Sequence, residues 1–151
     1  MRYQTVKDVV EHSRHLHHQI SDFYHDLGER NSQVRVKMLL EYLERHELQF
    51  EDMLKRFEGD KSQKIWDEWF QYAPEHNLDE ILSEIKVSGS MTADDVVGVA
   101  LKLDDYFIDL YKDMVQNSAS SDVKAVFQNL VELEEKEKIR TARTAIEMND
   151  M

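Results

Sequence analysis

The stretch Leu39-Leu40-Glu41-Tyr42-Leu43-Glu44-Arg45-His46-Glu47-Leu48-Gln49-Phe50 decides how this chain folds. Its apolar side chains recur at the three- and four-residue spacing of an amphipathic helix, and the pattern continues on both sides. The full stripe reads Val36, Leu39, Leu40, Leu43, Glu47, Phe50, Met53, Leu54 and Phe57. Glu47 therefore interrupts an apolar stripe, where an ionised carboxylate is costly unless it is paired or bound to a metal.

The composition favours a single all-α domain. The chain has 151 residues, enough for one substantial core, and its four glycines and one proline leave few places to break a helix. It has no cysteine, which excludes disulfides, zinc ribbons and iron–sulfur centres. No apolar run approaches the length of a membrane span and no secretory signal is evident at the start, so we expect a cytoplasmic protein without a membrane partner.

The charge excludes one class of partner. A net charge of −12 argues against nucleic-acid binding, because phosphates require a basic surface. The same charge suits attraction of cations. Most of the acidic residues are explained equally well as solvated helix faces that keep a bundle soluble.

The apolar periodicity predicts four long helices. They span about 5–28, 32–58, 92–117 and 122 to near the end of the chain, and Thr5 and Thr92 each open a sequence of capping-box form. Short turns make each successive pair an antiparallel hairpin. We therefore predict one domain over 1–151, with hairpin one at 5–58, a crossover at 59–91 and hairpin two at 92–149.

The crossover differs in composition from the helices around it. It carries an aromatic cluster at Ile65, Trp66, Trp69, Phe70 and Tyr72, followed by a short amphipathic helix at 78–85. A partly helical segment of this length can return the chain along a helix of roughly 40 Å. We interpret the aromatic residues first as packing and second as a partner surface.

The two hairpins are related by an internal repeat. The offset between matched residues is 87 positions, the same from Thr5 to Thr92 as from Glu47 to Glu134, with no gap between the two helices. Such agreement indicates two copies of one α-hairpin. The same offset pairs His17 with Asp104 and Phe50 with Glu137.

The matched polar residues should meet at one height. His17, Glu47, Asp104 and Glu134 each lie about 12 to 14 residues from the turn of their own hairpin, or roughly 20 Å along the helix. Buried carboxylates that face each other across a bundle either take up protons or hold a cation.

With these residues in place, the sequence resembles the ferritin-like superfamily, particularly its rubrerythrin-type branch, over nearly its whole length. That family carries a Glu on helices one and three and a Glu-x-x-His pair on helices two and four, which together bind two metal ions. Here His17 and Asp104 stand in the two single-Glu positions. Helix two has Glu47-Leu48-Gln49-Phe50 and helix four has Glu134-Glu135-Lys136-Glu137, so neither keeps the His.

The resemblance implies a ferritin-like four-helix bundle with a degenerate metal site. Its metal ligands would be Glu47, Asp104, Glu134 and Glu137, with His17 as an auxiliary ligand. This oxygen-rich set suits iron, or else manganese or magnesium, and one ion or none rather than a di-iron pair. The family then implies an oxidoreductase or iron-handling role. The missing cysteines exclude the rubredoxin domain that rubrerythrins add.

Two metal-free interpretations stand beside this one. The first is a polar core in which the acids are protonated and His17 pairs with a carboxylate. The second is a helical module that works as a homo-oligomer, in particular a dimer, or docks a partner protein through residues 66–72. We further expect His46 to lie on the surface, and Tyr24 to belong to the core. The outward stripe of helix one should be solvated; it comprises His15, His18, Asp22 and His25.

Overall fold

Four long helices build the protein. The computed structural model describes residues 2–60, 63–72, 78–85, 91–118 and 120–149. In chain order the elements are β1 (Arg2–Thr5), α1 (Val6–Arg30), α2 (Val34–Asp60), α3 (Gln63–Trp66), β2 (Trp69–Tyr72), α4 (Leu78–Glu84), α5 (Ala93–Asn117) and α6 (Ser121–Asn149). The four predicted helices are confirmed, with ends that differ from the predicted ones by only a few residues.

The two hairpins begin and end alike. Thr5 caps α1 and Thr92 caps α5, each in a complete capping box with an aspartate three residues later. The helices end at Asn31 and Ser118, both in extended backbone and both buried. These four cap positions follow the 87-residue offset, so the repeat extends to the groups that start and stop the helices.

Each hairpin packs mainly within itself, α1 against α2 and α5 against α6, and the apolar stripes then meet between the hairpins. The bundle core contains large side chains that are almost fully buried: Tyr24, Tyr111, Phe107, Phe127, Ile20, Leu27, Leu39, Leu40, Leu54, Leu103 and Leu130. Burial of these apolar faces is what stabilises helices of this length.

A short β-ribbon joins the start of the chain to the crossover, a feature that the helical periodicity does not predict. β1 and β2 are antiparallel, with Arg2 opposite Tyr72 and Thr5 opposite Trp69. The backbone N–H of Val6 donates to the carbonyl of Glu68 at 3.0 Å, which extends the pairing into the first turn of α1. Aromatic residues favour strands, but four-residue strands become stable only through such long-range pairing.

The aromatic cluster of the crossover divides into inner and outer residues. Trp66 is buried and packs edge-on against Phe57 of α2, whereas Trp69 is 66% exposed. Trp66 therefore belongs to the core and cannot form part of the partner surface predicted at residues 66–72. Of the two tryptophans, Trp69 alone is accessible.

A search for membrane-spanning helices among the described residues finds none with the length and apolar character required.

Candidate functional site

The polar positions of the four long helices meet in the core. His17, Glu47, Asp104, Glu134 and Glu137 are all at most 8% exposed. Each occupies the apolar face of its helix, so the packing that buries the stripes also buries these groups. Sequence reasoning therefore locates the cluster correctly; its role as a ligand set stays a prediction.

His17 lies at the centre of the cluster and bridges the two hairpins. Its Nδ1 is in close hydrogen-bonding contact with Oε2 of Glu47, and its Nε2 lies 3.0 Å from Oε1 of Glu134. The second contact is a close ion pair whose angles fall outside hydrogen-bond geometry. The carboxylates of Glu47 on α2 and Glu134 on α6 thus contact opposite nitrogens of one imidazole.

Two phenylalanines fix the plane of that imidazole. The ring of His17 stacks on Phe107 with centroids 3.8 Å apart, and on Phe50 with centroids 5.1 Å apart. Phe50 stands where the ferritin-like pattern has a histidine ligand. It packs against the ring of His17 and keeps water away from it.

The surroundings of His17 favour the charged imidazolium. Burial by itself lowers the pKa of a histidine, but the carboxylates of Glu47 and Glu134 outweigh it and raise the pKa of His17 from 6.5 to about 10. At neutral pH one positive charge therefore lies between two acidic side chains, one on α2 and one on α6.

Asp104 is the acidic residue of the cluster that does not pair with the imidazolium of His17. Its Oδ2 is buried and has no hydrogen-bond partner within the described part of the chain. Burial, followed by the charges of Glu47, Glu134 and Glu137, raises the pKa of Asp104 from 3.8 to about 9. A carboxyl group in this position needs a proton or a cation.

The remaining acids lie on α6. Burial raises the pKa of Glu134 although His17 opposes the shift, and burial likewise raises the pKa of Glu137 against the opposing charges of His46 and Arg140. Oε1 of Glu137 lies 2.7 Å from Nδ1 of His46, and its Oε2 lies 3.6 Å from the guanidinium of Arg140.

His46 corrects one expectation. Its side chain is only 18% exposed and contacts Glu137, so it is a wall of the site and not a surface residue. The only trace of this contact in the sequence is that His46 directly precedes Glu47, beside the apolar stripe of α2. Its contact with Glu137 can be inferred only once α6 is known to pack beside α2.

Tyr24 lies two turns further along α1 than His17. It is 1% exposed, and burial together with the nearby charges of Glu47, Asp104 and Glu134 raises its pKa well above 10. The phenol therefore keeps its proton at any physiological pH.

The other histidines of α1 are on the outside, as expected. His18 and His25 are more than half exposed and pair across the hairpin, His18 with Glu51 at 2.8 Å and His25 with Glu44 at 3.2 Å. Pairs this exposed contribute little to stability.

The cluster is not arranged as a ready-made metal site. Nowhere in residues 2–60, 63–72, 78–85, 91–118 and 120–149 do three or more His, Asp or Glu side chains converge in a way that could hold a metal ion. The reason is local: Glu47 and Glu134 are turned toward His17, and Glu137 toward His46. A cation would require at least one of these carboxylates to turn away from its histidine.

Comparison with known proteins identifies the fold. No family model matches the chain, and no curated protein is similar enough to match it. A solved structure from Thermotoga maritima, described provisionally as a ferritin-like diiron-carboxylate protein, superposes with a TM-score of 0.62. The two are 16% identical, and the match covers 97% of this chain and 98% of that one. The chain thus has a ferritin-like fold, as predicted; the rubrerythrin-type branch stays a prediction.

Proposed function

We propose that this protein binds one hard divalent cation, iron in the first place and manganese in the second, in the half of the core that Asp104 occupies. The observation that carries this proposal is the buried, unpartnered Oδ2 of Asp104, surrounded by three other carboxylates. Oxygen donors of this kind are the preferred ligands of hard metal ions.

The residues do not fit a pair of metal ions. On the side of His17 the histidine ligand of the family is replaced by Phe50, and the imidazolium of His17 already stands between Glu47 and Glu134. A positive side chain there repels a cation and consumes two donors. This supports one ion in place of two.

The residues that would hold the single ion are Asp104, Glu134 and Glu137, with Glu47 as a further donor. Glu134 and Glu137 would bind it only after turning away from His17 and His46, with which they pair in the structure. When bound, iron would supply one-electron chemistry, which supports an oxidoreductase or iron-handling role. The protein's own contribution is better defined. Phe50 and Phe107 exclude water from the face of His17, and His17 holds the charges of Glu47 and Glu134 in place.

Metal analysis tests the proposal directly. Protein purified without chelator, or reconstituted with Fe(II) under anaerobic conditions or with Mn(II), should contain close to one ion per chain. At a free metal concentration of about a hundred times the Kd, binding should raise the free energy of unfolding by about 2.7 kcal/mol. Asp104→Asn should abolish both the binding and the stabilisation.

Asp105→Asn is the matched control, because Asp105 is the adjacent residue but is exposed and pairs with Lys138 at 2.6 Å. It should bind metal as the unmodified chain does. A protein that stays metal-free, and whose thermal stability is unchanged by either ion, contradicts the proposal; two ions per chain contradict its stoichiometry.

A dimer that works without metal is the rival proposal, and the exposed Trp69 supports it. In that case sedimentation velocity should show a concentration-dependent dimer, which Trp69→Ala weakens without unfolding the bundle. A monomer at all concentrations would count against it.

A further inference from the structure

α2 carries a second row of side chains on the side opposite the bundle core. Its inner side buries Leu40 and Leu43 in the core. On its outer side, exposed residues follow one another at alternating intervals of four and three positions. This outer face of α2 comprises Val34, Met38, Glu41, Arg45, Leu48 and Asp52. Alternating intervals of four and three are the spacing at which two helices pack along a common seam.

The apolar residues of the outer face are uncovered. Six large apolar side chains are exposed in the described part of the chain, and three of them, Val34, Met38 and Leu48, belong to this face. They are 39% to 71% exposed. Isolated exposed apolar residues are common in soluble proteins, but three that are aligned on one helix form a surface that a partner can cover.

The two central charges of the outer face have no partner. Glu41 precedes Arg45 by four residues, the order that favours an ion pair within one helix, yet neither forms an ion pair with any residue that the structure describes. Asp52 is paired with Arg56. The outer face is therefore close to neutral, although the chain carries a net charge of −12. Because two copies of so acidic a chain repel each other, a neutral face is where they can approach.

The order of the residues on the outer face is self-complementary. Met38, Glu41, Arg45 and Leu48 are spaced symmetrically about position 43, with an apolar residue at each end and opposite charges between them. If a second α2 packs antiparallel at that centre, Met38 lies beside Leu48 of the second copy. Glu41 then lies beside Arg45 of the second copy, and the twofold axis repeats both contacts. Only a copy of the same helix matches this pattern at every position.

We propose that the outer face of α2 is the interface of a homodimer in which two α2 helices pack antiparallel about a twofold axis level with Leu43. The face spans residues 34–52, roughly 27 Å of helix, so a single helix pair forms the contact. An interface of this size gives a dimer that dissociates on dilution. It lies on the opposite side of α2 from Glu47, so the dimer does not depend on the metal proposal, and it differs from the surface around Trp69.

Charge exchange tests the proposed contacts. Sedimentation equilibrium in the presence of chelator should show a monomer–dimer equilibrium for the unmodified chain. Arg45→Glu should weaken the dimer by roughly tenfold or more, because it places two carboxylates side by side across the interface. Glu41→Arg should do the same, and the variant that combines the two changes should recover the affinity. Both positions are exposed, so circular dichroism should show an unchanged helix content.

Disulfide trapping tests the antiparallel register, since the chain has no cysteine of its own. The variant that combines Met38→Cys with Leu48→Cys should form a covalent dimer on oxidation. Either change alone should not, because ten residues of helix, roughly 15 Å, separate the two copies of one position in the antiparallel pair. Efficient cross-linking of a single variant would indicate a different register and overturn the proposal.

Ile139→Ser is the matched control for loss of an exposed apolar side chain, because Ile139 is 55% exposed on α6. It should leave the dimer unchanged, as should Trp69→Ala. Dissociation by either control, or a combined charge exchange that does not recover the affinity, would overturn the proposal. A monomer at all concentrations would leave the face to a different protein and overturn it as well. None of these outcomes bears on metal binding by Asp104, which is measured separately.

Discussion

At the scale of single residues, the histidine at position 17 decides how the buried negative charges of the core are balanced. A carboxylate at position 17 would add a negative charge to the group formed by Glu47, Asp104, Glu134 and Glu137. Histidine instead contributes a positive charge, whose pKa is raised to about 10 by Glu47 and Glu134 even though burial opposes it. The imidazolium thus offsets part of the negative charge of the core, and its ring stacks on Phe50 and Phe107.

Removal of His17 alone should be strongly destabilising. We expect His17→Leu to cost about 3–5 kcal/mol in chelator-treated protein at neutral pH, because it leaves Glu47 and Glu134 buried and unpaired. The combined variant with Glu47→Met and Glu134→Met removes the charges together and should recover most of that loss.

Urea unfolding of the two variants, followed by far-UV circular dichroism, measures the difference. The combined variant serves as the control for packing, since leucine and methionine approximate the volumes they replace. If the single and combined variants were equally unstable, loss of shape and not unpaired charge would be the cause.

At the scale of elements, the repeat is carried by the helix ends as much as by the apolar stripes. In both hairpins a threonine hydroxyl accepts from the backbone N–H of an aspartate three residues on, at 3.2 Å in α1 and 3.1 Å in α5. Each aspartate carboxylate accepts in return from the threonine N–H. These reciprocal bonds set where α1 and α5 begin, and hence the height at which His17 and Asp104 enter the core.

The cap of α5 should have a measurable and specific effect. Thr92→Ala removes the acceptor for the N–H of Asp95, so we expect a loss of about 1 kcal/mol in the free energy of unfolding. Thr92→Ser keeps the hydroxyl and should lose much less. Chemical denaturation of both variants checks this; equal losses would mean that the threonine methyl, and not the cap, stabilises the helix.

At the scale of the whole molecule, the buried cluster links stability to pH. The raised pKa of His17 contributes stability that is complete below about pH 6.5 and is lost as pH rises toward 10. Asp104 acts in the same direction: the folded chain keeps its proton to about pH 9, whereas the unfolded chain releases it near pH 3.8. Rising pH therefore opposes folding through both groups.

We accordingly expect the melting temperature of chelator-treated protein to fall between pH 6.5 and 9. Asp104→Asn should flatten this decline, because an amide does not titrate, while Asp105→Asn should leave it unchanged. Differential scanning calorimetry in buffers of matched ionic strength provides the measurement. A melting temperature that stays constant or rises over this interval would contradict the protonation states inferred for the core.

Much of this architecture follows from the sequence. Three features of the sequence predict the four helices and two hairpins: apolar residues at helical spacing, capping sequences at Thr5 and Thr92, and the 87-residue offset. The same features predict the burial of His17, Glu47, Asp104 and Glu134. These features depend on local periodicity and on the constant rise of an α-helix, so they can be calculated along one chain.

The tertiary structure alone decided which groups contact one another. Four features depend on which element packs beside which. They are the orientation of Glu47 and Glu134 toward His17, the contact of His46 with Glu137, the unpartnered Oδ2 of Asp104 and the pairing of β1 with β2. A side chain's partner on another helix is set by packing between helices, which periodicity along one helix does not encode. For that reason the sequence predicts the buried charges, and the fold determines how they are balanced.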